Sequence, residues 1–184
     1  MDNFKCIVAT KQDVINYYDE KISNNPTDES LKIYKNHFVS AVEEKTRICY
    51  FGILNNQIIC KTTAVVSLLD RFVQNKENLI DNNTAYLTAF QTKPEFEGKG
   101  YFSKLYKFME QDLKKRGFKK LTLGVEPCEV RNMQIYFHLG YTKFIKHGFE
   151  TYEPTTKGEK GETVLVCFYE KNCKNCMLKN NFLT

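Results

Sequence analysis

The chain has no apolar run near the roughly 20 residues that a membrane-spanning helix requires, which argues against a membrane span. Its opening, MDNFKCIVATKQD, carries charge within five residues and has no uninterrupted apolar core, so it does not read as a secretory signal. No internal repeat is visible. A second C-x-x-C pair to match Cys173 and Cys176 is missing, and a zinc site needs four ligands. The histidines His37, His138 and His147 are scattered. Seven cysteines, an odd number without an export signal, read as reduced thiols. The expectation is a cytoplasmic protein with no metal. Charge of one sign is also scarce, because the net charge is only +5. The basic cluster Lys114, Lys115, Arg116, Lys119 and Lys120 lacks a nucleic-acid motif, and closing a helix end accounts for much of it. What remains is an ordinary globular composition, 42% hydrophobic, over 184 residues. That length predicts one domain, over residues 1–170, and a short polar tail over 171–184.

The most informative stretch runs from Thr84 to Arg116. Ala85 to Thr92 is rich in β-branched and aromatic residues and reads as a strand that Pro94 ends. Gly98 and Gly100 make a turn. Phe102, Leu105, Tyr106, Met109 and Leu113 then recur at helical spacing, and Gly117 closes the helix. The first amides of a helix lack internal partners and carry partial positive charge, so Gly98 to Ser103 can hold a phosphate, with Lys99 beside it. Two phosphate motifs fail here. The Walker spacing G-x-x-x-x-G-K-[ST] is absent. A dinucleotide fingerprint would need a glycine where Ser103 stands, and a carboxylate in Phe118 to Val125, which has none.

The remaining elements follow from periodicity and breakers. Strands are expected at Phe4–Ala9, Arg47–Leu54, Gln57–Leu69, Lys119–Val125, Tyr141–Lys146 and Thr163–Tyr169. Helices are expected at Lys11–Ser23, Glu29–Glu44 (capped by Thr27 or Asp28) and Glu129–Leu139. Asn55-Asn56 reads as a hairpin turn. Asp70–Asn83 and Thr151–Glu162 read as polar loops, the first a candidate lid over an acceptor.

The run Lys93 to Leu105, KPEFEGKGYFSKL, resembles the acetyl-CoA-binding motif of the GNAT N-acetyltransferases, [Q/R]-x-x-G-x-[G/A]. Its positions fall on Glu97, Gly98, Lys99, Gly100, Tyr101 and Phe102. Gly100 matches, while Glu97 and Phe102 depart from the pattern. The run Arg131 to Tyr141 is similar to a second signature of the family, with Tyr136 preceding Leu139-Gly140-Tyr141. The family's asparagine falls on Glu129, and Asn132 lies one turn later. The resemblance covers Phe4 to Tyr169. It implies an α/β (α+β) fold with a mixed, twisted, largely antiparallel sheet flanked by helices.

It also implies a chemistry. An amine attacks the thioester of acetyl-CoA, an oxyanion forms, and a thiolate leaves. By resemblance the backbone of Phe90, Gln91 and Thr92 supplies donors and pairs with the pantetheine arm, and Tyr136 protonates the thiolate. Residue type alone would make Tyr136 a core aromatic. An alkyl amine is neutral only about once in 2,500 molecules at pH 7, so a base is useful. Ala85 to Thr92 holds no acid, and Glu126 after the next strand is the nearest substitute, directly or through water. The expected partner is an amine acceptor rather than nucleic acid or a membrane, and a homodimer stays open. The alternative is a catalytically silent GNAT-fold module that binds CoA or a partner.

Idle thiols carry a direct expectation. The variant with Cys173→Ser and Cys176→Ser together should keep its Tm, and metal analysis of the purified protein should find no stoichiometric zinc.

Overall fold

The computed structural model describes residues 3–70, 78–152, 154 and 160–173. Seven strands form one sheet: β1 (Phe4–Val8), β2 (Arg47–Leu54), β3 (Gln57–Val65), β4 (Thr84–Thr92), β5 (Lys120–Val125), β6 (Lys143–Thr151) and β7 (Thr163–Asn172). Their order is β1-β2-β3-β4-β5-β7-β6. Only β4 and β5 run parallel; all other neighbours are antiparallel. The helices are α1 (Lys11–Asn24), α2 (Ser30–Glu43), α3 (Tyr101–Lys115) and α4 (Val130–His138). The fold is the mixed, mostly antiparallel α/β architecture expected.

Helices α3 and α4 cover one face. Leu105, Tyr106, Met109 and Leu113 of α3 are essentially inaccessible and pack on Ala85, Leu87, Leu121 and Leu123 of the sheet. Burying each such side chain stabilises the fold by about 1.5–3 kcal/mol. Helices α1 and α2 cover the other face, where Val14, Tyr17, Tyr18 and Phe38 meet Cys49 and Phe51. Thr10 starts α1 with a capping box. Its hydroxyl accepts from the Asp13 amide at 3.2 Å, and its own amide donates to the Asp13 carboxylate at 2.8 Å. Before α2, the Asp28 carboxylate accepts from the Ser30 amide at 3.0 Å, but the N-cap residue is Glu29 rather than Thr27 or Asp28, and its side chain makes no capping bond. The Asn55-Asn56 turn has φ of 50° and 66°, the signature of a type I′ hairpin, between the paired Leu54 and Gln57.

Three strands have boundaries that differ from expectation, for reasons in the packing. Strand β3 stops at Val65, not Leu69, because the chain turns there to bring Asp70 under Arg47. Strand β6 begins at Lys143, not Tyr141. Tyr141 is drawn beneath α4, fully buried, with its hydroxyl 2.9 Å from that of Tyr106. Strand β6 then continues to Thr151, which pairs with Thr163. Strand β7 runs through Lys171 and Asn172, two residues into the expected tail, because both find partners on β5. Half of the candidate lid, residues 71–77, lies outside the described residues. Its far end is not polar surface, since Leu79 and Ile80 are buried.

One close approach depends on a missing side chain. Gly124 of β5 faces β7, and a Cβ there would stand 2.6 Å from Val166 Cγ1 and 2.9 Å from the Phe168 ring. Glycine lets those two side chains lie flat against the sheet.

Arg47 and Asp70 form a buried ion pair. Arg47 Nε and Nη2 each donate to the carboxylate at 2.7 Å, and the Thr46 hydroxyl donates to it at 3.0 Å. Both side chains are at most 3% exposed. Asp70→Ala would leave a guanidinium buried without its acid, and should lower unfolding stability by about 3–5 kcal/mol in a urea titration. A loss below about 1 kcal/mol would show that water reaches Arg47.

Candidate functional site

The site is made where two parallel strands part. Strands β4 and β5 pair from Thr84–Lys120 to Leu87–Leu123 and no further. On its other edge β4 carries a bulge. Thr88 stands opposite Thr63 and Gln91 opposite Lys61, so Ala89 and Phe90 together face only Thr62. Ala89 takes φ of 56°, a left-handed conformation that costs a non-glycine residue roughly 1–2 kcal/mol. The extra residue bends β4 away from β5. Gly124 and Val125 meanwhile keep their pairing with β7.

A cavity of about 620 Å3 fills the gap and reaches both faces of the sheet. On the side of α3 and α4 it is lined by Leu87, Phe90, Asn132 and Tyr136. On the opposite side it meets Tyr18, Tyr34 and Phe38 of α1 and α2, with Lys61 of β3. Glu126, Glu150 and Tyr152 close the end near β6.

Tyr136 sits on α4 with 9% of its surface exposed. Its ring centroid lies 5.6 Å from that of Phe90 and 6.4 Å from that of Tyr141. Its hydroxyl has no hydrogen-bond partner among the described residues. Two other buried tyrosines differ: Tyr50 donates to Asp112 and Tyr86 to Glu150, each at 2.8 Å. Burial, and then the charge of Glu129, push the Tyr136 phenol up to about 12, so it stays protonated through the neutral range. Glu126 is partly buried, just past the end of β5. Burial, Glu150 and Glu126 together raise the neighbouring Tyr152 phenol to about 12. Glu129 precedes α4, and its carboxylate accepts from Asn132 Nδ2 at 2.6 Å. The departure at Glu129 and its substitute Asn132 thus touch each other.

The glycine turn lies outside the cavity lining. Gly98 and Gly100 have φ of 72° and 78°, and nothing lies within 4 Å of where a Cβ would stand. Glycine is needed there for its backbone conformation, not for room. Gly100 precedes α3, and no side chain caps the helix. The first amides of a long helix therefore face an open, exposed turn, a fit for an anion. Lys99 and Ser103 are exposed beside it. Tyr101 is buried as a core residue, and Phe102 packs edge-on against Phe90 at 5.6 Å. Phe102 therefore links the turn to the cavity wall. Gln91 and Thr92 do not line the cavity. The Gln91 side chain turns to α1, accepting from the Tyr17 hydroxyl at 2.9 Å.

Sequence reasoning missed two groups. Arg131 of α4 places Nη2 3.0 Å from the Glu97 carboxylate. The departure at Glu97 was the available signal, since an acid beside an anion site calls for a cation. The wall of Tyr18, Tyr34, Phe38 and Lys61 was visible only as amphipathic helices and a strand. Among the described residues no cluster of three or more His, Cys, Asp or Glu side chains is placed to hold a metal. Cys173 packs at the edge of the main core, and Cys176 lies outside the described residues. In the basic cluster, Arg116 is tied to Asp112 at 2.6 Å and Lys120 to Glu170 at 3.4 Å. No helix among the described residues is long and apolar enough to cross a membrane.

Comparison with known proteins bears on this geometry. The chain matches none of the curated proteins searched. Many solved structures share its fold. The ribosomal-protein-S18-alanine N-acetyltransferase of Escherichia coli superposes with a TM-score of 0.60 at 15% identity, covering 98% of this chain and 99% of that one. The IAA acetyltransferase of Bacillus cereus gives 0.60 at 13% identity, with 92% and 99% covered. The yncA protein of Salmonella typhimurium, solved with its cofactor acetyl-CoA, gives 0.59 at 13%, with 94% and 95% covered. At such identities the likeness speaks for the fold. A family model, however, matches residues 16–141, more than half of the chain, and spans both the glycine turn and the Tyr136 helix. The protein belongs to the acetyltransferase (GNAT) family.

Proposed function

We propose that this protein is an acetyl-CoA-dependent N-acetyltransferase that moves the acetyl group to a primary amine by direct attack on the thioester. The observation that carries the reading is the unpartnered Tyr136 hydroxyl, facing a cavity opened by the parting of β4 from β5.

Each group then has a task. The uncapped amides from Gly98 to Ser103 hold the pyrophosphate of acetyl-CoA, with Lys99 adding a full charge. Glu97 does not oppose this, because Arg131 offsets its charge. The pantetheine arm runs into the gap along the Phe90–Thr92 backbone, with Asn132 beside it. The thioester carbonyl meets backbone donors of parted β4. The amine enters from the opposite face. Its nitrogen forms a bond to the carbonyl carbon, and the carbon–sulfur bond breaks. The ammonium proton leaves to Glu126, directly or through water. Tyr136 gives its proton to the departing sulfur and regains one from solvent. A phenol near 12 is always loaded for that donation.

The roles have separable consequences. Gly100→Asp adds negative charge where the anion binds and strains a left-handed position, whereas Gly100→Ala adds only the strain. Calorimetry should show acetyl-CoA affinity falling much further for the first. Equal affinities for both variants would remove the pyrophosphate from this turn.

Tyr136→Phe deletes only a hydroxyl that bonds to no described residue, so Tm and acetyl-CoA affinity should change little. Turnover should fall by about 10²- to 10⁴-fold, in kcat more than in KM. A core role predicts the reverse: normal kcat in Tyr136→Phe, and damage only in Tyr136→Ala through a cavity. Thiol release from acetyl-CoA across a panel of amines tests the whole reading. A protein that binds acetyl-CoA yet acetylates none of them would be the silent module instead.

A further inference from the structure

Lys61 is the charged group in the cavity wall that the proposed chemistry leaves idle. It stands on β3, opposite Gln91, with its ammonium among three rings. The Nζ atom lies 4.8 Å from the centroid of Tyr17, 5.3 Å from that of Tyr18 and 5.4 Å from that of Phe38. No carboxylate pairs with it among the described residues, and no hydrogen bond holds it there. The other charges of the wall have a partner or a task. Arg47 is locked to Asp70, Glu129 takes the Asn132 amide, Glu150 takes the Tyr86 hydroxyl, and Glu126 is the proposed base. Lys21 of α1 donates to Gln91 Oε1 at 3.2 Å and adds to the positive field at Lys61.

Such a cation is costly. Ring faces return only part of what desolvation takes. Burial first, and then Lys21, bring the Lys61 ammonium down to about 8. It therefore remains largely charged at neutral pH, in a polar position that an anion would complete.

We propose that the acceptor is a small amino acid-like molecule whose carboxylate is received by Lys61 while its amine meets the thioester at the parted strands. The inference rests on the acetyltransferase reading of the same cavity. Lys61 stands on the strand next to the bulge at Ala89 and Phe90, and all three line one cavity of about 620 Å3, a space that suits a small molecule carrying its amine and its carboxylate together. The rings of Tyr18, Tyr34 and Phe38 suit an apolar body between them.

The test is a matched pair, L-phenylalanine and phenethylamine, which differ only in the carboxylate. Both are assayed by thiol release with the native protein, Lys61→Met and Lys61→Arg. The ratio of their kcat/KM values cancels intrinsic reactivity only when compared between variants. That ratio should shift about 10- to 100-fold against phenylalanine in Lys61→Met and be partly restored in Lys61→Arg. An unchanged ratio overturns the proposal and leaves the acetyltransferase reading intact. A second measurement needs no turnover. The Lys61 side-chain carbon signal is followed by NMR against pH, with and without N-acetyl-L-phenylalanine. A seated carboxylate should raise the titration midpoint from about 8 toward the ordinary lysine range. A midpoint that stays in place at saturating ligand, or a ligand that does not bind, overturns the proposal even if no amine in the panel is acetylated.

Discussion

A parallel pair of strands that stops pairing halfway is the constraint on which the rest of this molecule depends. Beyond Leu87 and Leu123 the two strands diverge, and the sheet would lose its core there if nothing filled the opening. The bulge at Ala89 sets the direction of the bend. Its roughly 1–2 kcal/mol of backbone strain is small beside the burial on both faces, which holds the bend in place. Helices α3 and α4 deliver Phe102 and Tyr136 to one mouth of the opening, and α1 and α2 deliver an aromatic wall to the other. The two mouths of the opening are therefore unlike in lining, one of Phe90, Asn132 and Tyr136, the other of Tyr18, Tyr34, Phe38 and Lys61.

Charge around that opening is arranged in local pairs. Glu97 and Arg131 lie on different elements, and their contact ties the glycine turn to α4. The pair is largely exposed, so its own contribution to stability is small. Its effect is on the field, because it offsets a negative charge beside the proposed anion site. Glu129 accepts a hydrogen bond from the neutral Asn132 amide at the start of α4. Of the three departures from the family pattern, Glu97 and Glu129 thus carry a polar contact, and Phe102 packs on Phe90.

Much of the fold was legible in the sequence because its signals are local. Two asparagines between alternating strands specify a type I′ turn by themselves, and apolar residues at steps of three and four place α3 without knowledge of its neighbours. The boundaries that moved were set by distant partners. Tyr141 left its strand for a hydroxyl contact with Tyr106, and β3 ended early so that Asp70 could meet Arg47. The same division holds at the site. Tyr136 and Phe90, read by resemblance, and Asn132 and Glu126, named as substitutes where the pattern departs, all line one cavity. Lys61, Tyr34 and Arg131 carry no such signal. Their placement arises only once β3, α2 and α4 are brought together.

Gly124 has a consequence of another kind. It holds no proton, binds nothing by a side chain, and belongs to neither family signature. Yet the Phe168 ring and Val166 occupy the space that any other residue would need, and both belong to the cluster that also contains Tyr86. Even alanine at this position would push that wall inward, toward the cavity it borders. Tolerance to mutation in this protein is therefore not a map of its chemistry: one of its least replaceable positions is an atom that is not there.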